Sequence, residues 1–221
     1  MSFKHQFRSL LIAITPGPVK RIRKSISLYN WYSKTYCAPP APHFVKQSLL
    51  LRHGIKNCTW IETGTYLGST TKMLSSKYHH VHTIEPSQKC LSIAKDYIGS
   101  AKNITFYNGT SEDCIETACA AVEGDVCFWL DGHYSAGITF QGDADTPIVH
   151  ELATIGKYLN RYRSVVLIID DIRCSHLDSD HYPSLNFYVE WSNRNNLNWT
   201  IEHDSFIAKS RNLEVYPDLM P

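Results

Sequence analysis

The chain has 221 residues, a length that suits one globular domain with at most a short appendage. Apolar residues make up 43% and charged residues 19%, enough to bury a full core and too apolar for a mainly disordered chain. Lys and Arg number 22 against 21 Asp and Glu, and the formal charge of +1 supplies no global field to draw the protein to nucleic acid.

The seven cysteines, at 37, 58, 90, 114, 119, 127 and 174, form no C-x-x-C pair and no zinc-ligand spacing. Cys127 lies in an apolar run, where a small buried thiol is the ordinary expectation. Thiols in this pattern point to a reducing compartment. The early apolar run Leu10–Ile14 is far too short to span a bilayer and ends in Thr-Pro-Gly-Pro, so Lys4 and Arg8 before it make an incomplete signal peptide. A cytoplasmic protein without a transmembrane segment is expected.

In chain order, the breakers Thr15-Pro-Gly-Pro18 and Ala38-Pro-Pro-Ala-Pro42 flank a single helix over Val19–Lys34. Its basic start, Lys20-Arg-Ile-Arg-Lys24, reads as a solvated face or as a weak attraction to an anionic membrane surface or phosphorylated substrate. Residues 1–55 are taken as an N-terminal helical extension and 56–221 as the main domain. Thr59–Glu62 begins a strand–helix rhythm: a strand, a glycine turn and a helix to about Lys77; strand Val81–Glu85 and helix Gln88–Ile98; strand Asn103–Tyr107 and helix Ser111 to about Ala121. Strand Asp125–Asp131 follows, then a long loop, a helix near Pro147–Asn160 with Thr146 as its cap, and the apolar strand Ser164–Asp170. Trp199–His203 and Phe206–Lys209 read as a terminal hairpin, which predicts an α/β fold with a mostly parallel sheet and one antiparallel strand.

Open parallel sheets bind ligands beyond the carboxyl ends of their strands. Those ends carry Glu62-Thr63-Gly64-Thr65-Tyr66-Leu-Gly68-Ser69-Thr70, then Glu85-Pro86, Asn108-Gly109-Thr-Ser111-Glu112, Asp131-Gly-His133, and Asp170-Asp171. Glycines permit a tight turn before free helix N–H donors, and an acid 21 residues after Gly64 suits two ribose hydroxyls. The pattern reads as a nucleoside site.

Glu62-x-Gly64-x-x-x-Gly68, Glu85, Gly109-x-Ser111-Glu112 and Asp131 resemble the successive motifs of class I S-adenosylmethionine-dependent methyltransferases over residues 58 to about 210. The resemblance implies a seven-stranded Rossmann-like sheet of order 3-2-1-4-5-7-6 with strand 7 antiparallel, and S-adenosyl-L-methionine as cofactor. Residues 62–66, 68–70, 85, 86, 109, 111, 112 and 131 would bind it. Trp129-Leu-Asp131-Gly-His133-Tyr and Ile168-Ile-Asp170-Asp171 are similar to metal-dependent O-methyltransferases of the macrocin and catechol type, which implies Asp131, Asp170 and Asp171 as ligands of Mg²⁺. The catechol type has Asp-Asn at the position of Asp170-Asp171, and the macrocin type has Leu-Asp-Gly-Asp where this chain has Leu-Asp-Gly-His. The longer string from Asp131 to Glu151-Leu looks like methyltransferases of bacterial surface-glycan gene clusters and implies a small-molecule or glycan acceptor.

Converging carboxylates need neutralising, and hard oxygen ligands suit Mg²⁺, which would lower the acceptor hydroxyl's pKa. His133 is the expected general base, beside Asp131. Plainer roles stay open: Asp131 could hold the cofactor's amino group, Asp170 or Asp171 could pair with Arg173, and His133 could be a structural loop residue. The function expected is O-methylation of a polyhydroxylated acceptor. Its rivals are a metal-independent O- or N-methyltransferase and a catalytically silent binding module. For residues 1–55, covering the site, a homodimer contact and a membrane contact all stay open.

Overall fold

A computed structural model of the chain describes residues 17–132, 146–176 and 182–213. Two helices come first, α1 (Gly17–Thr35) and α2 (His43–His53), and four strand–helix units and a fifth strand follow. These are β1 (Thr59–Thr63), α3 (Ser69–Ser75), β2 (His80–Glu85), α4 (Gln88–Ile98), β3 (Ile104–Asn108), α5 (Ser111–Ala120), β4 (Gly124–Leu130), α6 (Ile148–Tyr158) and β5 (Tyr162–Ile169). Helix α7 (Leu185–Arg194) and the hairpin β6 (Leu197–Glu202)–β7 (Ser205–Ser210) complete the chain. The sheet order is β3-β2-β1-β4-β5-β7-β6, parallel except for β7, which is antiparallel to both its neighbours. Order and directions are those expected from the sequence.

Side chains of the central strands alternate between two apolar layers, as a sheet covered on both faces requires. Ile61, Phe128, Leu130, Leu167, Ile169 and Phe206 pack on one face with Ile115, Leu152 and Ile155 from α5 and α6. Trp60, Cys127, Trp129, Val166, Ile168 and Ile207 pack on the other with Leu49 and Leu50 of α2 and Leu74 of α3. The N-terminal region thus supplies part of one core layer.

Helices α2 and α7 have no counterpart in the expected element list. Helix α6 starts one residue later than Thr146-Pro147 suggests: Pro147 takes the cap position, and the Thr146 hydroxyl accepts from Ile148 N at 3.4 Å. His133 and the loop Tyr134–Asp145 lie outside the described residues.

Candidate active site

Strand register brings the predicted residues to one level. Thr63 pairs with Ile84 on one side and Leu130 on the other, and Leu130 pairs with Ile169. The next residue on each strand is therefore Gly64, Glu85, Asp131 and Asp170, a single rim along the carboxyl edge of four neighbouring strands. Backbone hydrogen bonds carry the ladder that far: Gly64 N donates to Ile84 O at 3.0 Å, Asp131 N to Thr63 O at 3.2 Å, and Asp170 N to Leu130 O at 3.0 Å.

Glu62, Thr63 and Thr65 are buried at the turn after β1. The Glu62 carboxylate accepts from the Thr71 and Thr83 hydroxyls through Oε2, at 2.5 and 2.7 Å. Its Oε1 has no partner among the described residues. Burial pushes this carboxyl up to about 7, against the two hydroxyls that draw it back. Gly64 and Gly68 hold φ of +87° and +79°, in the left-handed region. A Cβ at Gly64 would stand 2.5 Å from the Asp131 carbonyl oxygen, and one at Gly68 3.0 Å from the Ala94 Cβ. These glycines are therefore demanded by the close approach of the turn to β4 and α4.

The other predicted residues divide. Glu85 is buried, and its two oxygens accept from Tyr66 N at 2.8 Å and Ser87 N at 2.9 Å. Burial raises its pKa while those amides oppose the rise. Each oxygen keeps a lone pair for a further donor. Tyr66, 40% exposed, lies over this edge, and Pro86 is half-buried beside it. Gly109 N donates to Glu85 O at 3.3 Å, which ties the β3 turn to the same corner. Thr70 is buried, while Ser69 Oγ meets His43 Nε2 and Gln47 Nε2 of α2, each at 3.3 Å. Two residues, Thr65 and Thr63, look elsewhere, and a third, Glu112, lies at the surface. The Thr65 hydroxyl is engaged with that of Thr83 at 2.6 Å, and Thr63 faces the α6 side of the sheet. Ser111 is buried beside Glu151, a carboxyl of α6 that burial pushes up to about 7, with Ser111 and Thr63 drawing it back.

Asp131, Asp170 and Asp171 converge, each offering an oxygen within 4.8 Å of the others. Asp171 adopts φ +56°, a turn that Asp tolerates better than most residues and that follows directly on Asp170. Helix α2 supplies a counter-ion that sequence spacing gave no sign of. Lys46 Nζ donates to Asp170 and, at 3.0 Å, to Asp171. Arg173 pairs with Asp171 at 2.5 Å and with Asp204. Burial would lower the Lys46 pKa, but the three aspartates outweigh it and raise it. Burial and the neighbouring Asp131 push Asp170 up, against the pull of Lys46. Four carboxylates thus meet two cations. Three hard oxygens are a donor set that a divalent cation could use, but Lys46 Nζ already sits on the Asp170 and Asp171 oxygens. A small cavity continues from Asp170 to Gly132, Glu151, Ile169 and Tyr188.

No protein-family model and no curated protein matches the sequence. Solved structures do match. The N-methyltransferase NodS from Bradyrhizobium japonicum WM9, in complex with S-adenosyl-L-homocysteine, is 13% identical with a TM-score of 0.52, over 77% of this chain and 87% of that one. Precorrin-6y C5,15-methyltransferase from Geobacter metallireducens GS-15 is 12% identical with a TM-score of 0.50, again over 77% and 87%. At such identities the likeness is one of fold: the chain has the seven-stranded Rossmann-like fold of class I S-adenosylmethionine-dependent methyltransferases.

Proposed function

We propose that the protein transfers a methyl group from S-adenosyl-L-methionine to a hydroxyl of a polyhydroxylated acceptor, a small molecule or a glycan. The observation that supports this reading is the level rim of Gly64, Glu85, Asp131 and Asp170, with Glu62 Oε1, which has no partner among the described residues, beneath it. A buried carboxylate oxygen without a donor suits the cofactor's ammonium group, reached directly or through a water. Glu85 keeps the acceptor capacity that two ribose hydroxyls need, and Tyr66 and the Gly109 turn border its corner. The bound cofactor supplies an electrophilic methyl on a sulfonium. What falls to the protein is to hold the acceptor oxygen in line with that methyl and to remove one proton.

His133, two residues beyond Asp131, is the base in this reading. Asp131, Asp170 and Asp171 would hold Mg²⁺, which lowers the pKa of a bound hydroxyl. A second reading dispenses with the metal, and the Lys46 bridge to Asp170 and Asp171 favours it: an ammonium already neutralises the pair. In both readings Lys46 tempers the acidic cluster.

The test is transfer of label from methyl-tritiated S-adenosylmethionine to a panel of oligosaccharides, polyols and catechols, with and without exhaustive chelation. Labelled ether on a sugar, lost with EDTA and restored by Mg²⁺, supports the first reading. Labelled ether that chelation leaves untouched supports the second. Label found only on nitrogen, or on no acceptor although cofactor binds, overturns O-methylation.

A further inference from the structure

The first acidic residue of the chain is Glu62; ten lysines and arginines precede it, so residues 1–61 carry a formal +10 and the remaining 160 residues −9. The near-neutral whole hides this segregation. Helix α1 holds Lys20, Arg21, Arg23, Lys24 and Lys34 with no acid.

The same helix has an apolar stripe. Val19, Ile22, Ile26 and Tyr29 recur at the spacing that returns a residue to one face, and Tyr32 extends the stripe toward the C-terminus. Each is exposed: Ile22 by 59%, Ile26 by 55%, and Tyr29 and Tyr32 by 68% each. The opposite side faces the protein body. Trp31 meets the His203 ring edge-on at 5.5 Å and donates from Nε1 to Ala38 O at 2.7 Å, while Lys24 Nζ sits over the Phe44 ring. Residues 24 and 31 are two turns apart on one face, and the stripe lies across the helix axis from them. Every residue from 21 to 29 is exposed, so no described part of the chain covers the stripe.

We propose that α1 docks on an anionic membrane surface, its Val19–Ile22–Ile26–Tyr29 face sunk at the headgroup level and its cations against lipid phosphates and carboxylates. An apolar stripe flanked by Arg21 and Arg23, low overall hydrophobicity and tyrosines toward one end are what an interfacial helix requires. No helix among the described residues is long and apolar enough to cross a membrane, so the contact is peripheral. A two-fold contact of stripe on stripe between copies of this chain fits poorly, since the second α1 would bring five more cations and no acid to the interface. Nucleic acid would match the charge but has no use for four exposed apolar side chains. Docking there would place the acceptor site on a protein already held at a surface.

The test is co-sedimentation of the full chain with neutral phosphatidylcholine vesicles and with vesicles containing 30 mol% phosphatidylglycerol, about 100 mM salt throughout. Expected is partitioning to the anionic vesicles only, reduced about tenfold or more in Ile22→Glu/Ile26→Glu. Each charge removed in Arg21→Gln and Arg23→Gln should reduce it about fivefold. Circular dichroism and binding of S-adenosylhomocysteine by the variants report their folding. Three results would overturn the proposal: no sedimentation with either vesicle; sedimentation that the isoleucine variant retains; or, without lipid binding, either a dimer in sedimentation velocity that Ile22→Glu/Ile26→Glu dissociates or tight binding of a 30-nucleotide RNA.

Discussion

At the residue scale, the turn after β1 and the acidic cluster are held by different forces, and substitutions separate them. Gly64 combines a positive φ with a 2.5 Å approach of its missing Cβ to the Asp131 carbonyl. Gly64→Ala should cost about 2–3 kcal/mol in urea unfolding and weaken S-adenosylhomocysteine binding as the rim is pushed apart. An unchanged midpoint would show that the turn gives way. Lys46 neutralises carboxylates whose side chains are 1% and 6% exposed. Lys46→Met takes the ammonium from Asp170 and leaves Asp171 with Arg173 alone among the two cations, at a cost of about 3 kcal/mol. The melting temperature of that variant should recover with millimolar Mg²⁺ by more than the wild type gains, and equal responses would separate the cluster from divalent ions. Gly64, Glu85 and the aspartates were legible in the sequence because each ends an apolar run. Lys46 was not. Its partners lie 124 and 125 residues away, and nothing local marks a lysine that will meet them.

At the scale of elements, the central strands were readable because their side chains alternate or run continuously apolar, and strong turn residues bound them. The five central strands and the hairpin fall where the pattern put them, within one or two residues. The two missed helices had weaker signals. Helix α2 follows a proline-rich stretch, has no side-chain cap and mixes polar with apolar residues; α7 begins beyond a polar loop. Helix α2 nonetheless matters to the core, where Leu50 is 1% exposed beneath β1, β4 and β5. Leu50→Ala should destabilise the whole chain by about 2–5 kcal/mol in a single urea transition. A variant that loses only local structure around residues 43–53 would show α2 to be separable. The same helix carries His43 and Gln47 to Ser69 and Lys46 to the aspartates, so its loss should also harm the site.

For the whole molecule, two buried acids, Glu62 of β1 and Glu151 of α6, contribute to the pH dependence. Glu62 and Glu151 are pushed up to about 7 from an ordinary 4.5. Between those values the folded state keeps protons that the unfolded state releases, so stability falls as pH rises. Below 4.5 both states are protonated and the two groups contribute nothing to the slope; above 7 the penalty is complete. Each group contributes about 1.4 kcal/mol per pH unit within that window. Buried His53 and His82, lowered to about 3 and about 4, act with the opposite sign up to their ordinary 6.5, so the Glu151 contribution is read as a difference in thermal unfolding of the cofactor-free protein. The melting temperature of Glu151→Gln should gain on that of the wild type as pH rises from 5 to 7, and a constant difference would assign the dependence elsewhere. Such carboxyls are stabilised by a cationic ligand, which links the stability profile to the cofactor. Isothermal titration with S-adenosylhomocysteine at pH 7.5 tests that link most directly. The account predicts one site with micromolar affinity, weakened at least tenfold in Glu85→Ala and in Glu62→Ala. Absence of binding at hundreds of micromolar in protein shown to be folded, or affinity indifferent to both substitutions, would contradict it.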